Sequence, residues 1–260
     1  MHLARLSLTV LKGAGHQQPT SLALDDDGPR HDRRFCCVDL AAGRVLRTVE
    51  NHPLLACRAA YDGKRLVVRL PDGADASGTP VGARSIVADY WGRDAHLRVV
   101  DGPWAALLSG YLQRDVVVAE VQSAGQVVFG GPVTVLTTSS LRELARRLGR
   151  HLDAAALLLD SERFRSTLVV DSDDAPPFVE DTWRQLVVGG SVLRVRGAVP
   201  RCAVVRLTPG VGRVETLDPL RALASDRTEV KARGREVVFG VDADVEVAGS
   251  ISVGDEVQPS

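Results

Sequence analysis

The sequence predicts a mainly β protein with a few helices, closed as a barrel or packed as a sandwich. Short β-rich runs, broken by Gly, Asp and Pro, recur along all 260 residues. They outnumber the segments with helical periodicity. The regular strand–helix alternation of a doubly wound sheet is missing.

In chain order, Leu3 to Leu11, Arg34 to Leu40, Arg44 to Val49 and Arg65 to Leu70 are predicted strands. Pro71 to Gly82 is rich in Pro, Gly, Asp and Ser with almost no large apolar residue, and reads as an exposed loop. Val99 and Val100 close a further strand. Asp101 to Leu112 reads as a helix, because Trp104, Leu107, Leu108 and Tyr111 recur at helical spacing. Strands follow over Asp115 to Val121 and Pro132 to Leu136. The clearest helix has Leu141, Leu144, Ala145 and Leu148 as one apolar stripe, with Ser140 three before Glu143 in the manner of a capping box. Asp153 to Leu159 is a short helix or turn. Strands are expected at Thr167 to Val170, Leu186 to Val188, Val192 to Val195, Ala203 to Leu207, Val237 to Val247 and Glu256-Val257. Pro219 to Ala224 is a short helix with Pro in its first turn. A boundary near Asp101 to Asp115 divides a strand-rich N-terminal module, 1–100, from a larger C-terminal module, 101–260.

Charge is balanced, with 32 Lys and Arg against 33 Asp and Glu, which gives no field for a nucleic-acid partner. The longest wholly apolar run, Ala154 to Leu159, falls far short of the roughly 20 residues of a membrane span. Met1 to Arg5 leads straight into an alternating segment rather than a signal peptide, so a cytoplasmic location is expected. The four cysteines, Cys36, Cys37, Cys57 and Cys202, form no CxxC pair and no zinc-type cluster. No GxGxxG follows a strand, and GxxxxGK, HExxH and GxSxG are absent, which argues against nicotinamide, P-loop, zinc-peptidase and α/β-hydrolase chemistry.

The remaining polar constellations are few. In Pro200-Arg201-Cys202 the proline ends or bends the preceding strand, and the arginine sets a permanent cation beside the thiol. A thiolate there suits a soft metal centre, while on local chemistry alone an inert buried cysteine is the simpler reading. If Arg163-Phe164-Arg165 is extended, its two arginines share a face and form a fork for phosphate or carboxylate; a plain surface strand edge fits as well. Glu180-Asp181-Thr182-Trp183, after Pro176-Pro177, is either a helix start with first-turn acids or a catalytic pair. Lys12, in the Gly-containing stretch Leu11 to Gly15, and Asp32-Arg33-Arg34 are each ordinary alone.

Taken together and in this order, these segments resemble the MOSC family, named for the C-terminal domain of molybdenum-cofactor sulfurase. Arg163-Phe164-Arg165, the strand Thr167 to Asp171 and Glu180-Asp181-Thr182-Trp183 are similar to the family run RRFRPN, strand, EDxW. Arg201-Cys202 matches the family's RC, and Gly249 to Asp255 its closing GxIxVGD. Gly131 to Leu144 resembles the strand and TTASL helix start of the domain. The N-terminal third resembles the β-barrel module that often precedes it, with Lys12 at the family's PVKS and Asp32-Arg33-Arg34 at its GDRRY.

The resemblance implies a MOSC β-barrel domain behind a smaller, strand-rich barrel-like module. It implies a molybdenum cofactor (molybdopterin) with Cys202 as the metal ligand. Lys12, Arg33, Ser140, Arg163, Arg165, Thr167 and Arg201 become candidates to hold the cofactor, and Asp181 a candidate catalytic group beside Cys202. Convergent donors suit a large anionic pterin better than one arginine does. The leading expectation is an oxidoreductase reducing N-hydroxylated or N-oxygenated small molecules. Because no iron–sulfur, flavin or nicotinamide signature is present, electrons would come from a separate donor protein. A sulfur carrier or C–S bond-cleaving protein using Cys202 as persulfide or nucleophile, and a cofactor carrier without turnover, are the alternatives. The chain departs from the family at Arg165-Ser166-Thr167, which replaces RPN, and at Thr208 to Gly212, which replaces DPxTG.

Overall fold

The computed structural model describes residues 1–172, 174–231 and 234–260. Its strands form an eight-stranded sheet, a closed five-stranded barrel and two three-stranded sheets. The barrel runs Asp94–Asp101, Val117–Val121, Phe35–Asp39, Arg44–Val45 and Val81–Asp89. Mostly small and β-branched residues fill it, including Cys36, Val38, Ala88, Ala95 and Ala119, together with Leu97. Asp94–Asp101 alternates exposed and buried positions with the period of two that a strand with one inward face requires.

The large sheet has the order His2–Leu6, Leu168–Asp171, Val133–Thr137, Gly234–Val247, Ser191–Pro200, Gln185–Val188 and Val257–Pro259, with Thr228–Lys231 beside Gly234–Val247. The first strand of the chain thus pairs with Leu168–Asp171. In the other direction, Val117–Val121 pairs with Phe35–Asp39 in the barrel. The chain therefore crosses between the two sheets twice. One apolar core joins residues of both, from Leu3 and Leu54 through Trp104 to Val135 and Val241. Wholly buried Trp104 donates its indole N–H to the Leu66 carbonyl at 3.2 Å, so the ring seats the helix Trp104–Leu112 without stranding a donor.

Four α-helices are present among the described residues: α1 Trp104–Leu112, α2 Thr138–Arg147, α3 Ala154–Asp160 and α4 Pro219–Leu223. The last three bury Leu141, Leu144, Leu157 and Leu223 against Phe164 and Phe239. No helix among the described residues is long and apolar enough to cross a membrane.

Several local expectations are corrected. Within the expected loop Pro71 to Gly82, Asp75–Gly78 and the start of Val81–Asp89 are strands, because main-chain pairing holds them while most of their side chains face outward. Ala203–Arg206 is a 3-10 turn rather than a strand, entered directly from Cys202. The cap of α2 is Thr137, whose side chain accepts from the Ser140 N–H, so Ser140 is inside the helix. Glu143 does not close a capping box; it pairs with Arg146 and Arg147.

Candidate functional site

A cleft of about 1230 Å³, open mouth included, lies between the barrel and the large sheet and gathers residues from distant parts of the chain. Lys12, Arg33, Arg163, Arg165, Arg201 and Cys202 all line it. Each reaches the cleft by a local device. Arg33 and Arg165 adopt left-handed backbone conformations, φ 47° and 55°. Non-glycine residues held there cost on the order of 1–3 kcal/mol each, a strain that gathers at functional sites. Of the six non-glycine residues with positive φ among those described, three (Arg33, Trp91 and Arg165) line this cleft.

Cys202 lies where Ser191–Pro200 ends and the 3-10 turn begins, and its side chain is exposed. The other three thiols are buried. Burial pushes Cys36 and Cys57 up to about 12 and Cys37 higher still, so Cys202 is the accessible thiol. Arg201 is anchored through Nε to the Phe239 carbonyl at 2.7 Å and through Nη1 to the Phe164 carbonyl at 2.8 Å. Gly240, φ 68°, lets the long strand approach Val133–Thr137 closely enough that a Cβ there would meet the Val135 carbonyl at 2.6 Å and the Arg201 guanidinium at 3.3 Å.

Arg165 donates from Nη2 to the Ala14 carbonyl at 3.0 Å and to Thr9 Oγ1 at 3.3 Å. Thr9 Oγ1 also meets His16 Nδ1 at 2.9 Å. The Thr9 N–H donates to Asp32, which pairs with Arg33. Thr9 thus links the two left-handed arginines into one network.

The cations are crowded and dry. Burial, with Arg33 and Arg165 close by, holds the Lys12 ammonium well below its ordinary range. Burial, then the nearby Arg33, depresses Arg165 to about 10, and burial likewise depresses Arg201 to about 10. An arginine stays charged at such values at neutral pH, so the direction measures how poorly these cations are solvated. Arg165 Nη1 and Arg201 Nη2 are sealed from solvent and have no hydrogen-bond partner among the described residues. With Arg47 Nε and Arg163 Nε, which are likewise sealed and unpartnered, they make four unsatisfied cationic donors on residues lining one cleft, which fits an anionic ligand that supplies missing acceptors.

Arg163 and Arg165 do not form the shared-face fork expected of an extended segment. Ser161–Phe164 is a 3-10 turn and Arg165 is left-handed, so the segment is not extended, and the two guanidinium groups bond to different partners. Arg163 is held through Nη1 and Nη2 by the Val205 carbonyl, Asp160 and Glu215, with only its Nε sealed and unpartnered, and so acts as a strut in the cleft wall.

Three predicted site residues are not brought to the cleft. Thr167 exchanges hydrogen bonds with Thr134 and ties two strands of the sheet. Ser140 donates to Glu180 at 2.7 Å and accepts from the Phe178 N–H. Asp181 pairs with Arg227 and borders a different surface groove with Trp183 and Arg184. The acid beside it, Glu180, is wholly buried and bonded to Thr137 and Ser140, which makes it a packing element.

Sequence reasoning missed the barrel side of the cleft, formed by Arg47, Tyr90, Trp91 and Phe129. A signal was available at Trp91-Gly92. The dipeptide joins two antiparallel strands with φ 59° and 76°, the two positive values of a type I′ hairpin turn, and Gly at its second position marks such turns.

A mainly β chain with a thiol at the end of a sheet strand, facing a cleft of buried cations, is the protein class defined here. The MOSC domain family model matches residues 121–258, and the chain belongs to that family. It is 32% identical to mitochondrial amidoxime reducing component 2 of Homo sapiens over 130 residues, 48% of this chain and 36% of that protein. It is 29% identical to molybdenum cofactor sulfurase of Oryza sativa subsp. japonica over 160 residues, 56% of this chain and 19% of that protein. The aligned part is thus less than half the length of either relative. The YUAD protein from Bacillus subtilis superposes with a TM-score of 0.46 at 10% identity, covering 98% of this chain and 93% of that one.

Proposed function

We propose that the cleft holds a molybdenum cofactor, with Cys202 as the protein ligand to the metal, and that the chain reduces N-oxygenated small molecules with electrons from a separate donor protein. One observation carries the reading: an exposed thiol shares a cleft with Lys12, Arg33, Arg165 and Arg201, two of which bear sealed, unpartnered N–H groups. The relatives named for amidoxime reduction and for the molybdenum cofactor give the direction of the chemistry. When bound, the cofactor supplies a redox centre that the side chains lack.

The residues' own work is binding and orientation. Lys12, Arg33, Arg165 and Arg201 would neutralise the anionic part of the cofactor, and the unpartnered N–H groups of Arg165 and Arg201 would gain charge-assisted hydrogen bonds. Arg163 and its acids keep the wall in place. Cys202 would bind the metal as thiolate, the form that ligates soft centres.

Sulfur transfer through a persulfide on Cys202 is the second reading, favoured by the relative named as a sulfurase and by the exposure of the thiol. Protein purified from a host that makes the cofactor separates the two. Near-stoichiometric molybdenum, with amidoxime turnover lost in Cys202→Ala, supports the reductase. A metal-free protein that transfers sulfur through Cys202 overturns it.

A further inference from the structure

One end of the cleft is built differently from the cationic end. Trp91 and Phe129 line it together, with ring centroids 6.4 Å apart and planes tilted by 56°. Phe129 is 46% exposed, so a large apolar ring faces solvent inside a concave site. Val49 and Val128 border the same end. Such a surface is costly to leave wet, and inside a cleft it marks a place for an apolar partner.

The aromatic pair is also held in position. The hairpin turn is closed by reciprocal backbone bonds, Tyr90 N–H to the Arg93 carbonyl at 2.8 Å and Arg93 N–H to the Tyr90 carbonyl at 3.3 Å. Trp91 occupies the first positive-φ position of that turn, where Asn or Gly fits without strain. The Arg47 guanidinium lies 4.4 Å from the centroid of the Trp91 rings. Arg93 reaches from the turn to the Val128 carbonyl at 2.8 Å, tying the loop that carries Phe129 to the turn that carries Trp91. At the far side of that loop, Gly131 donates its N–H to Asp242 at 2.6 Å. A strained tryptophan, a cation packed on its ring and two braces on the partner loop make a preorganised apolar jaw.

The geometry points to Trp91 and Phe129 as an aromatic subsite that seats the flat aromatic body of the substrate, with its polar end directed along the cleft towards Cys202. The inference rests on the proposed reduction for what the substrate's polar end undergoes, but the recognition of a flat ring stands on the jaw alone. The shared chemistry is a planar heteroaromatic or aryl ring, which a substrate and a pterin both possess, and the assignment here is to the substrate.

The test uses the purified full chain and two neutral probes, benzamidoxime and acetamidoxime, which share the amidoxime group and differ in the ring. Intrinsic fluorescence is a direct readout, because Trp104 and Trp183 are buried while Trp91 lines the cleft. Benzamidoxime is expected to quench and to bind about tenfold more tightly than acetamidoxime, the gain that aromatic contacts support. Trp91→Leu should abolish the quench. Phe129→Leu should keep the quench and erase most of the tenfold preference. Equal affinity for the two probes, binding of neither, or an unchanged preference in Phe129→Leu would overturn the assignment. Molybdenum and pterin contents of the same preparations are measured in parallel. Wild-type pterin in both variants supports a substrate subsite, and pterin lost in either would overturn it in favour of the cofactor's own ring. Absence of molybdenum from the wild type would count against the proposed reduction and leave the binding result standing.

Discussion

Replacing Thr9 by Val removes one hydroxyl and almost no volume from a position 1% exposed. Thr9 Oγ1 accepts from Arg165 at 3.3 Å, so its own hydrogen is available to His16 Nδ1 at 2.9 Å. His16 is neutral at neutral pH, because burial and then the nearby Arg165 hold its pKa well below the ordinary value. Its Nε2 is already sealed without a partner, so Thr9→Val leaves both ring nitrogens unsatisfied. Arg165 keeps its bond to the Ala14 carbonyl, and the Thr9 N–H keeps Asp32. The dominant cost is therefore one newly orphaned buried acceptor, about 1–3 kcal/mol. Urea unfolding is the assay, with a lowered midpoint at constant m expected. His16→Phe, which needs no hydrogen bond, should recover roughly 1 kcal/mol when added to Thr9→Val, a coupling visible in a double-mutant cycle. A loss under about 0.5 kcal/mol, or strict additivity, would refute the network as described.

Three further outcomes follow from the same geometry. Burial raises the Glu180 carboxyl pKa above its unfolded value, so the folded state binds more protons than the unfolded state between the two values. Its contribution to stability is thus fully present below the unfolded value near 4.5 and falls as pH rises towards the folded value; the wild-type minus Glu180→Gln difference should decline across that window, and a flat difference would contradict it. Gly240→Ala should cost at least about 2 kcal/mol in thermal or urea unfolding, because φ is 68° and the new Cβ meets Leu136 and the Val135 carbonyl. In cofactor-free native protein a disulfide-exchange reagent should titrate one thiol, Cys202, and four after denaturation; fast reaction of more than one native thiol would show that the burial of Cys36, Cys37 or Cys57 is misassigned.

What was legible in the sequence was carried by local chemistry with short reach. The leucine stripe of α2 and the strand break at Pro200 beside Arg201-Cys202 are both decided within a few residues. What was not legible depends on distant partners. Asp75–Gly78 and Val81–Asp89 form strands although their side chains give almost no alternation, because the stabilising groups are main-chain and sit on other segments. The docking of His2–Leu6 against Leu168–Asp171 is a pairing no local pattern announces. Lys12, Arg33, Arg165, Arg201 and Cys202 come from segments that resemble the family's, and the structure gathers them in one cleft. Ser140, Thr167 and Asp181 were drawn from the same segments, yet each is claimed by a partner elsewhere: Glu180, Thr134 and Arg227. Trp91 and Phe129 escaped notice because exposed aromatic side chains gain meaning only when the fold shows the cleft they face.

The central claim is that Cys202 binds the metal of a cofactor held by the buried cations. X-ray absorption at the molybdenum edge tests it directly, on wild type and Cys202→Ser purified from a host that makes the cofactor. The account predicts a molybdenum–sulfur shell in the wild type that loses one sulfur in the variant. An identical sulfur shell in both proteins would contradict it.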